Sequence, residues 1–324
     1  MMVAGAQRIS AELSEPEWLD ALRRLGDAKG SYSQLGDHHS AVFVEQKHSV
    51  LFVTFETVFG IRSGSESGLP LAFDLCERRD WSHMTVIAQT QSWFRNDNVF
   101  GFFDRLVDYD FFDQFDRVIF YGAGMCGYAA AAFSVAAPGA TVLTIAPQAT
   151  LERSVTQWDK RFPNARRMAF DGRYADAAHL VAAAEAALVL YDPNEAEDAM
   201  HASLFRGDHV IHQRYRRGSA GAIEADLRSM SLIGTLAEAA AEDRLTAPNV
   251  ASILRARRRH VPYLRALLSR VLTEERPELT RRLCRAVLAH QPLPRFQHHL
   301  ESAEVQLGLR DRPPNNNDLR QDGS

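Results

Sequence analysis

Residues Arg117–Gln148 read RVIFYGAGMCGYAAAAFSVAAPGATVLTIAPQ, and this stretch decides the fold. An apolar run, Val118–Tyr121, meets a glycine-rich turn over Gly122–Gly127, and an alanine-rich segment follows. After Pro138-Gly139 a second apolar run covers Thr141–Ile145. Short apolar runs separated by a helical segment are typical of parallel strands that are buried on both faces. The stretch therefore predicts a strand–turn–helix–strand unit of a parallel sheet.

The glycines of the turn permit a dinucleotide site. Gly122, Gly124 and Gly127 match G-x-G-x-x-G between a strand and a helix, as a phosphate-binding turn requires. That fingerprint also needs an acidic residue after the next strand, whereas this strand runs into Ala146-Pro147-Gln148. Two strands are also predicted upstream, although the fingerprint usually follows the first strand of its domain. The dinucleotide site is the less favoured interpretation, and we expect no cofactor.

The same turn fits a nucleophile elbow, G-x-S-x-G, in the register Gly122-Ala123-Gly124-Met125-Cys126. It resembles the Gly-Ser-Ser-Met-Gly-Gly-Tyr elbow of an α/β-hydrolase-like family often associated with making or exporting cell-surface polysaccharide. The resemblance extends over roughly residues 50–233, and Ala146-Pro147-Gln148 matches a Ser-Pro-Gln segment of that family. This chain departs from the family at Gly124, which has no side chain and cannot attack an ester.

The resemblance also implies positions for the other two members of a catalytic triad. Asp192, in a Tyr-Asp-Pro segment, occupies the position of the acid. An equally favoured interpretation is that Asp192 caps the following helix. The histidine should follow the predicted strand His209–Tyr215, but Arg216–Gly221 contains none. We therefore expect an elbow that lacks both nucleophile and base.

Cys126 is a candidate replacement nucleophile. A helix start lowers the pKa of a nearby thiol, and a thiolate is a strong nucleophile. However, Cys126 lies two residues beyond the elbow apex, so its side chain should point elsewhere. The favoured interpretation is a small buried residue that packs the helix against the sheet.

A ligand site can outlast the loss of catalysis. Backbone N–H groups at the elbow and around residues 55–60 can bind an anion or a carbonyl oxygen. Ligands of open α/β sheets gather at the carboxyl ends of the strands. The predicted ligand-binding residues are Gly122, Gly124, Met125, Gly127, Tyr128, Trp93 and Arg95. For Trp93, an aromatic residue at the edge of the core is an equally favoured interpretation. The expected partner is an unidentified small molecule or protein.

The amino-acid composition limits the classes of protein to which this chain can belong. The 324 residues are 46% hydrophobic, enough for one sizeable core and a smaller appendage. Three cysteines without close spacing argue against a disulfide framework or a metal site. The N-terminal residues lack the apolar centre of a signal peptide, and no run of about 18 apolar residues occurs. The expected location is therefore the cytoplasm, with no membrane span.

Charge divides the chain unevenly. Residues 246–310 contain twelve arginines and five glutamates, a balance of +7, whereas residues 1–245 carry −10. The cluster Arg255–Arg259 lacks interleaved aromatic residues, so nucleic-acid binding is not favoured over a solvated helix face.

A third class of protein remains an alternative. Chains of this make-up can resemble proteins labelled phosphoadenosine phosphosulfate reductase, whose attacking thiol lies in a Glu-Cys-Gly-Leu-His segment. The only cysteine near the C-terminus here is Cys284, within Arg282-Leu283-Cys284-Arg285. Reductase activity is therefore the least favoured of the three.

The expected organisation has four parts: an N-terminal helix and linker (1–40), an α/β-hydrolase-like domain (41–245), a helical appendage (246–310) and a disordered tail (311–324). Within the domain, Ala41–Gln46 and Ser49–Glu56 are predicted as paired strands. Residues 167–170 are predicted as a short strand or an extended segment, and 175–187 as an alanine-rich helix. The appendage should contain three amphipathic helices, with core faces marked by Leu264, Leu268, Leu272, Leu279, Leu283 and Val287.

The predicted fold class is α/β, a three-layer sandwich around a mainly parallel sheet, with the helical appendage at its C-terminal side. The predicted function is that of a catalytically degenerate α/β-hydrolase-like protein with a ligand-binding, scaffolding or regulatory role. The resemblance links this role to cell-surface polysaccharide. An active acyl or ester hydrolase, or a transferase that uses other residues in the same pocket, is the alternative.

Overall fold

The computed structural model describes residues 8–10 and 12–310, which form two compact units that divide after Leu254. The predicted tail at 311–324 lies outside the described residues. In the described part of the chain, no helix is both long enough and apolar enough to cross a membrane.

The first unit is built on a single eight-stranded sheet. Its strands are β1 (Ser31–Gln34), β2 (His39–Val44), β3 (His48–Thr57), β4 (Trp81–Ala88), β5 (Arg117–Ala123), β6 (Thr141–Ile145), β7 (Ala186–Tyr191) and β8 (Val210–Arg214). The strand order is β1-β2-β4-β3-β5-β6-β7-β8. Strands β3 to β8 pair in parallel, whereas β1 and β2 pair antiparallel at one edge. The mainly parallel sheet of the sequence prediction is confirmed.

The predicted pairing of the second and third strands is wrong. Strand β4 lies between them, with Val42 of β2 opposite Thr85 and Phe55 of β3 opposite Val86. The reason is that residues 50–56 of β3 are buried on both faces, so this strand needs a neighbour on each side. It finds them in the parallel strands β4 and β5, and the short connection after Val44 passes over β4. Nearness in sequence favoured a hairpin, but burial decided the pairing.

The first unit contains eleven described α-helices: α1 (Glu15–Lys29), α2 (Val58–Gly64), α3 (Leu71–Glu77), α4 (Asp97–Asp108), α5 (Met125–Phe133), α6 (Arg153–Thr156), α7 (Ala177–Leu180), α8 (Ala196–Leu204), α9 (Ala220–Ser229), α10 (Leu232–Ala241) and α11 (Ala247–Ile253). The alanine-rich segment 175–187 is not one long helix, because α7 ends at Leu180 and the chain is extended by Ala184 to enter β7. Residues 167–170 form no strand, and a short 3₁₀ turn covers Ala165–Arg167.

Helices cover both faces of the sheet. Alternate residues of a strand point to opposite faces, so Phe120 and Tyr121 of β5 contribute to different layers. Phe120 joins the core beneath α4 and α5, with Phe103 and Phe133. Tyr121 faces the layer that contains Leu227 of α9. A separate apolar cluster fixes α1 against the antiparallel edge of the sheet through Trp18, Leu22, Val42 and Ile87. The result is the three-layer sandwich that the alternating elements predicted.

The second unit contains α12 (Val261–Thr273), α13 (Pro277–Leu288) and α14 (Pro294–Gln306). Leu264 and Leu268 of α12 are buried, as their spacing predicted. The predicted face of α13 is wrong at Leu279, which is 39% exposed. Thr280, Cys284 and Val287 are buried instead, so the packed face lies about one residue further along the helix.

Apolar burial rather than charge should stabilise the second unit. Leu268 is fully buried, and Arg258 is an exposed residue. Truncating a buried leucine typically costs about 2–5 kcal/mol, because transfer energy is lost and a cavity remains. We expect Leu268→Ala to lower the free energy of unfolding by that amount, and Arg258→Ala to change it by about 0.5 kcal/mol or less. Urea denaturation of both variants tests this, and equally small losses would contradict it.

Candidate functional site

The turn between β5 and α5 has the sharp geometry of an elbow. Gly124 adopts φ 56° and ψ −125°, a backbone conformation that residues other than glycine rarely adopt. Helix α5 starts at the next residue, Met125. The Gly124 N–H donates to Ile145 O at 2.8 Å, which fixes the apex beside the end of β6. Glycine adopts this conformation readily, whereas the serine of a hydrolase elbow is strained in it.

Close packing explains two of the three glycines. A Cβ at Gly122 would lie 2.1 Å from Cys126 O, and one at Gly127 would lie 3.3 Å from Pro147 Cβ. Both residues must therefore be small so that α5 can fold back against the sheet. A Cβ at Gly124 would meet only Ala220 Cβ, at 3.7 Å. The apex thus has space for a side chain and carries none.

Asp192 lies at the end of β7 and is almost completely buried. Its Oδ2 accepts a hydrogen bond from Gly218 N–H at 2.7 Å, and its Oδ1 accepts from the N–H and Nδ2 of Asn194 at 2.9 and 2.6 Å. It does not cap α8, whose N-cap residue is Glu195. Hydrogen bonds from backbone N–H groups and from the Asn194 amide therefore satisfy both oxygens of the carboxylate. In the described structure, no histidine is among the hydrogen-bond partners of this carboxylate.

The elbow and Asp192 meet through one short segment. Ala220, the first residue of α9, approaches the apex glycine, and Gly218, two residues earlier, bonds to Asp192. The structure thus places Gly124 and Asp192 on the same edge of the sheet, bridged by the segment where the sequence lacks the expected histidine.

The structure argues against Cys126 as a nucleophile. Burial raises the pKa of the thiol well above its ordinary value, and the nearby carboxylates of Glu224 and Glu56 raise it further. The expectation that the pKa of this thiol is lowered is therefore wrong, because burial disfavours the charged thiolate. Cys126 packs as part of the main core, as the favoured interpretation predicted.

The side chains of three predicted ligand-binding residues contact other residues of the protein. The Tyr128 hydroxyl donates to Tyr174 O at 2.6 Å, and the Trp93 ring contacts that of Tyr128 with a centroid separation of 5.7 Å. Arg95 donates from Nε to Ala169 O at 3.0 Å. These contacts hold the segment after α6 against the end of the sheet, and the core-edge interpretation of Trp93 matches its burial. A direct role of these residues in ligand binding stays a prediction.

Sequence reasoning missed a buried ionic cluster beneath the elbow. Arg228 of α9 lies 2.9 Å from Glu224 and 3.5 Å from Glu56, and the Tyr121 hydroxyl donates to Glu224 Oε1 at 2.8 Å. The N–H of Leu71 also donates to Glu56. Burial raises the pKa of Glu56, with Arg228 acting in the opposite direction. The cluster ties α9 to β3 and β5, and its only visible signal was an acid within an otherwise apolar strand.

A second missed pair joins His39 of β2 to Ser92 after β4. His39 Nε2 lies 2.6 Å from Ser92 Oγ, and His39 Nδ1 is buried without a hydrogen-bond partner in the described residues. Burial lowers the pKa of His39 to about 4. The next residue, Trp93, has a positive φ and donates its N–H to the sulfur of Met125 at 3.2 Å. The pair therefore lies close to the elbow.

A third missed group is structural. His201 Nδ1 accepts from Ala149 N–H at 3.1 Å, so Nε2 carries the proton that faces Asp159 Oδ2 at 3.0 Å. Arg161 bridges Asp159 to Asp198 with charged hydrogen bonds. Both nitrogens of the fully buried His201 are thus occupied. This network fastens the chain after β6 to α8.

Asp159 should make stability depend on acid pH. Burial by itself raises its pKa, but hydrogen bonds from His201 and Arg161 outweigh burial and hold the pKa well below its ordinary value. A pKa lowered by folding adds stability above the unfolded value of about 3.9, and this stability is lost as the pH falls below it. In urea denaturation, Asp159→Asn should be less stable than wild type by a constant margin above about pH 5, and the margin should shrink below about pH 4. A margin that does not change with pH would contradict this.

Comparisons with known proteins found only remote structural likenesses. No protein-family model and no curated protein sequence matches the chain. Similar solved structures include carboxyl esterase 2 from the fungus Tuber melanosporum, at 14% identity over 63% of this chain and 81% of that one, with a TM-score of 0.42. The carboxylesterase EstE1, cloned from a metagenomic library, matches at 14% identity over 74% and 100%, with a TM-score of 0.42.

The Gap123 glycosylation-associated complex of Streptococcus agalactiae matches at 13% identity over 61% of this chain and 44% of that one, with a TM-score of 0.40. Likenesses this remote say nothing about activity. The sheet order, the elbow after β5 and the acid after β7 are nevertheless those of an α/β-hydrolase-like fold, followed by a helical C-terminal region.

Proposed function

We propose that this protein uses an α/β-hydrolase-like fold to bind a ligand or a protein partner, in a scaffolding or regulatory role, and that its elbow performs no ester hydrolysis. The observation that carries the proposal is the apex itself. Gly124 has the backbone conformation of an elbow and room for a small side chain beside Ala220, yet it offers no nucleophile. Without a nucleophile and a base, the elbow has no group that can transfer protons in acyl chemistry.

A sharp turn that lacks a nucleophile can still bind a ligand at this edge of the sheet. The backbone at the start of α5 presents N–H groups that have no partner within the helix, and such groups suit an anion or a carbonyl oxygen. Phe59 of α2 follows β3 at the same end of the sheet and is 81% exposed. Because the sequence resembles a hydrolase-like family associated with cell-surface polysaccharide, we propose that the ligand at this edge is related to polysaccharide. The buried thiols of Cys76, Cys126 and Cys284 are consistent with the cytoplasm as its location.

A screen of short acyl esters tests the proposal. We expect p-nitrophenyl acetate and butyrate to be hydrolysed by the wild-type protein at the rate of the protein-free buffer. Asp192→Asn and Cys126→Ala should give the same rate as the wild-type protein, because neither side chain takes part in ester hydrolysis. Turnover well above background that is lost in Cys126→Ala would overturn the proposal and identify the thiol as the nucleophile.

The Ser92–His39 pair favours one second candidate, an acyl hydrolase or transferase with a displaced nucleophile. In that reaction Ser92 Oγ would attack the acyl carbon of an ester while His39 Nε2 accepts its proton, and the 2.6 Å separation permits the transfer. The bond from the acyl carbon to the alcohol oxygen would then break, and His39 would return the proton to the departing alcohol. A pKa of about 4 makes His39 a weak base near neutral pH, so we favour binding over catalysis. Turnover that is lost in Ser92→Ala and kept in Cys126→Ala would establish this candidate instead.

A further inference from the structure

A cavity of about 310 Å³ opens between the chain after β6, helix α7 and the end of α8. Thr150 and Val155 bound it on one side, and none of the elbow residues lines it. Its volume lies at the lower end of the range for small-molecule sites, about 300–1,000 Å³. For comparison, the void beneath α10 measures only about 10 Å³. The larger cavity therefore has room for a small molecule and lies outside the site proposed above.

Two opposite charges face this cavity without neutralising each other. Asp176 and Arg206 both line it, but they form no ion pair with each other in the described structure. Asp176 Oδ1 accepts the His179 N–H at 3.0 Å, which fixes the carboxylate and leaves Oδ2 without a partner in residues 8–10 and 12–310. In the same residues, the Arg206 guanidinium has neither a hydrogen bond nor an ion pair. The cavity thus offers an acceptor and a donor to a ligand that carries both charges.

The backbone of both residues is fixed, and the Asp176 carboxylate is fixed as well, whereas the Arg206 side chain is exposed. Phe205, the neighbour of Arg206, is buried, and its carbonyl oxygen lies 3.0 Å from His212 Nε2 of β8. Asp176 is the N-cap of α7. A charge that is already positioned, here the Asp176 carboxylate, loses less conformational freedom when a ligand binds.

The rest of the lining is small or apolar. Val155 and Leu204 present aliphatic side chains, and the His179 ring adds a polar group beside them. The hydroxyl of Thr150 is buried and accepts the Glu152 N–H at 3.1 Å.

We propose that this cavity binds a small zwitterion with an aliphatic body, of the class of aliphatic amino acids and their dipeptides. The ammonium group lies against Asp176, the carboxylate against Arg206, and the aliphatic part against Val155 and Leu204. This inference goes beyond the binding edge at the elbow and does not depend on it, so the ester screen neither supports nor weakens it.

Calorimetric titration of the full chain tests the ligand class. The probes are L-leucine and leucyl-leucine, with leucinamide and N-acetylleucine as analogues that each keep only one charge. We expect saturable binding of at least one zwitterion and at least tenfold weaker binding of both analogues. Absence of saturable binding by either zwitterion would overturn the proposal, as would equal affinity for the singly charged analogues.

Matched variants test the place. Arg206→Gln and Asp176→Asn should each weaken binding of the zwitterion at least tenfold. Asparagine caps helices as well as aspartate does, so α7 should survive the second change. The controls Arg167→Gln and Asp171→Asn alter exposed charges outside the cavity and should change the affinity less than twofold. Equal effects of the cavity variants and the controls would show that the zwitterion binds elsewhere and would overturn the assignment.

Discussion

Gly122→Ala should destabilise the protein by about 3 kcal/mol or more. The new Cβ would lie 2.1 Å from Cys126 O, which is a backbone atom that cannot rotate away. Relief requires α5 to move off the sheet, and α5 carries buried alanines and Phe133 of the main core. Overpacking of this kind typically costs about 1–3 kcal/mol, and more where backbone must shift.

Gly221→Ala is the matched control for this change. Gly221 lies inside α9, and a Cβ there would meet no atom within 4 Å. Alanine favours a helix over glycine by about 0.5–1 kcal/mol, so this variant should be slightly more stable than wild type. Urea denaturation of both variants gives the comparison. Two variants with the same free energy of unfolding would show that the elbow glycine is not under the predicted steric constraint.

Arg228→Met should cost about 3–5 kcal/mol of stability. The arginine lies between Glu56 and Glu224, and Glu56 is almost completely buried. Removing one partner of a buried ion pair leaves the other without compensation, which is strongly destabilising. Addition of Glu56→Gln to this variant should recover part of the loss, because the amide carries no charge that needs a partner.

The control for Arg228 is Arg244→Met, which breaks the exposed ion pair with Glu242. Exposed pairs contribute about 0–1 kcal/mol. Chemical denaturation of the three variants at neutral pH measures the difference. A loss in Arg228→Met no larger than in Arg244→Met would mean that the cluster does not hold α9 to the sheet.

The sequence was most informative where local pattern and burial agree. The elbow unit from β5 to β6 follows from two apolar runs, a glycine turn and an alanine-rich helix, and the structure confirms each part. It was misleading for the alanines between Asp176 and β7, where helix propensity favoured one long helix. There the chain must straighten by Ala184 to enter the sheet, and tertiary context overrides propensity.

Some residues of the candidate site could likewise be placed from the sequence, and others could not. The positions of Gly124 and Asp192 follow from where their strands end, so chain order is enough to place them on one edge. The Glu56–Arg228 and His39–Ser92 pairs join residues 172 and 53 positions apart. Nothing in the local sequence indicates which distant side chain completes a buried pair, because the sheet order decides it. The same holds for the Asp159–His201 network, whose members come from different segments.

The absence of an activated nucleophile is the central claim, and a fluorophosphonate probe with intact-mass spectrometry tests it most directly. The probe attaches covalently to serines that a base activates, whatever the natural ligand is. The full-length wild-type protein should keep its unmodified mass after prolonged exposure, while an active serine esterase treated in parallel is fully labelled. A stoichiometric adduct on any serine at the carboxyl edge of the sheet, Ser92 above all, would contradict the account.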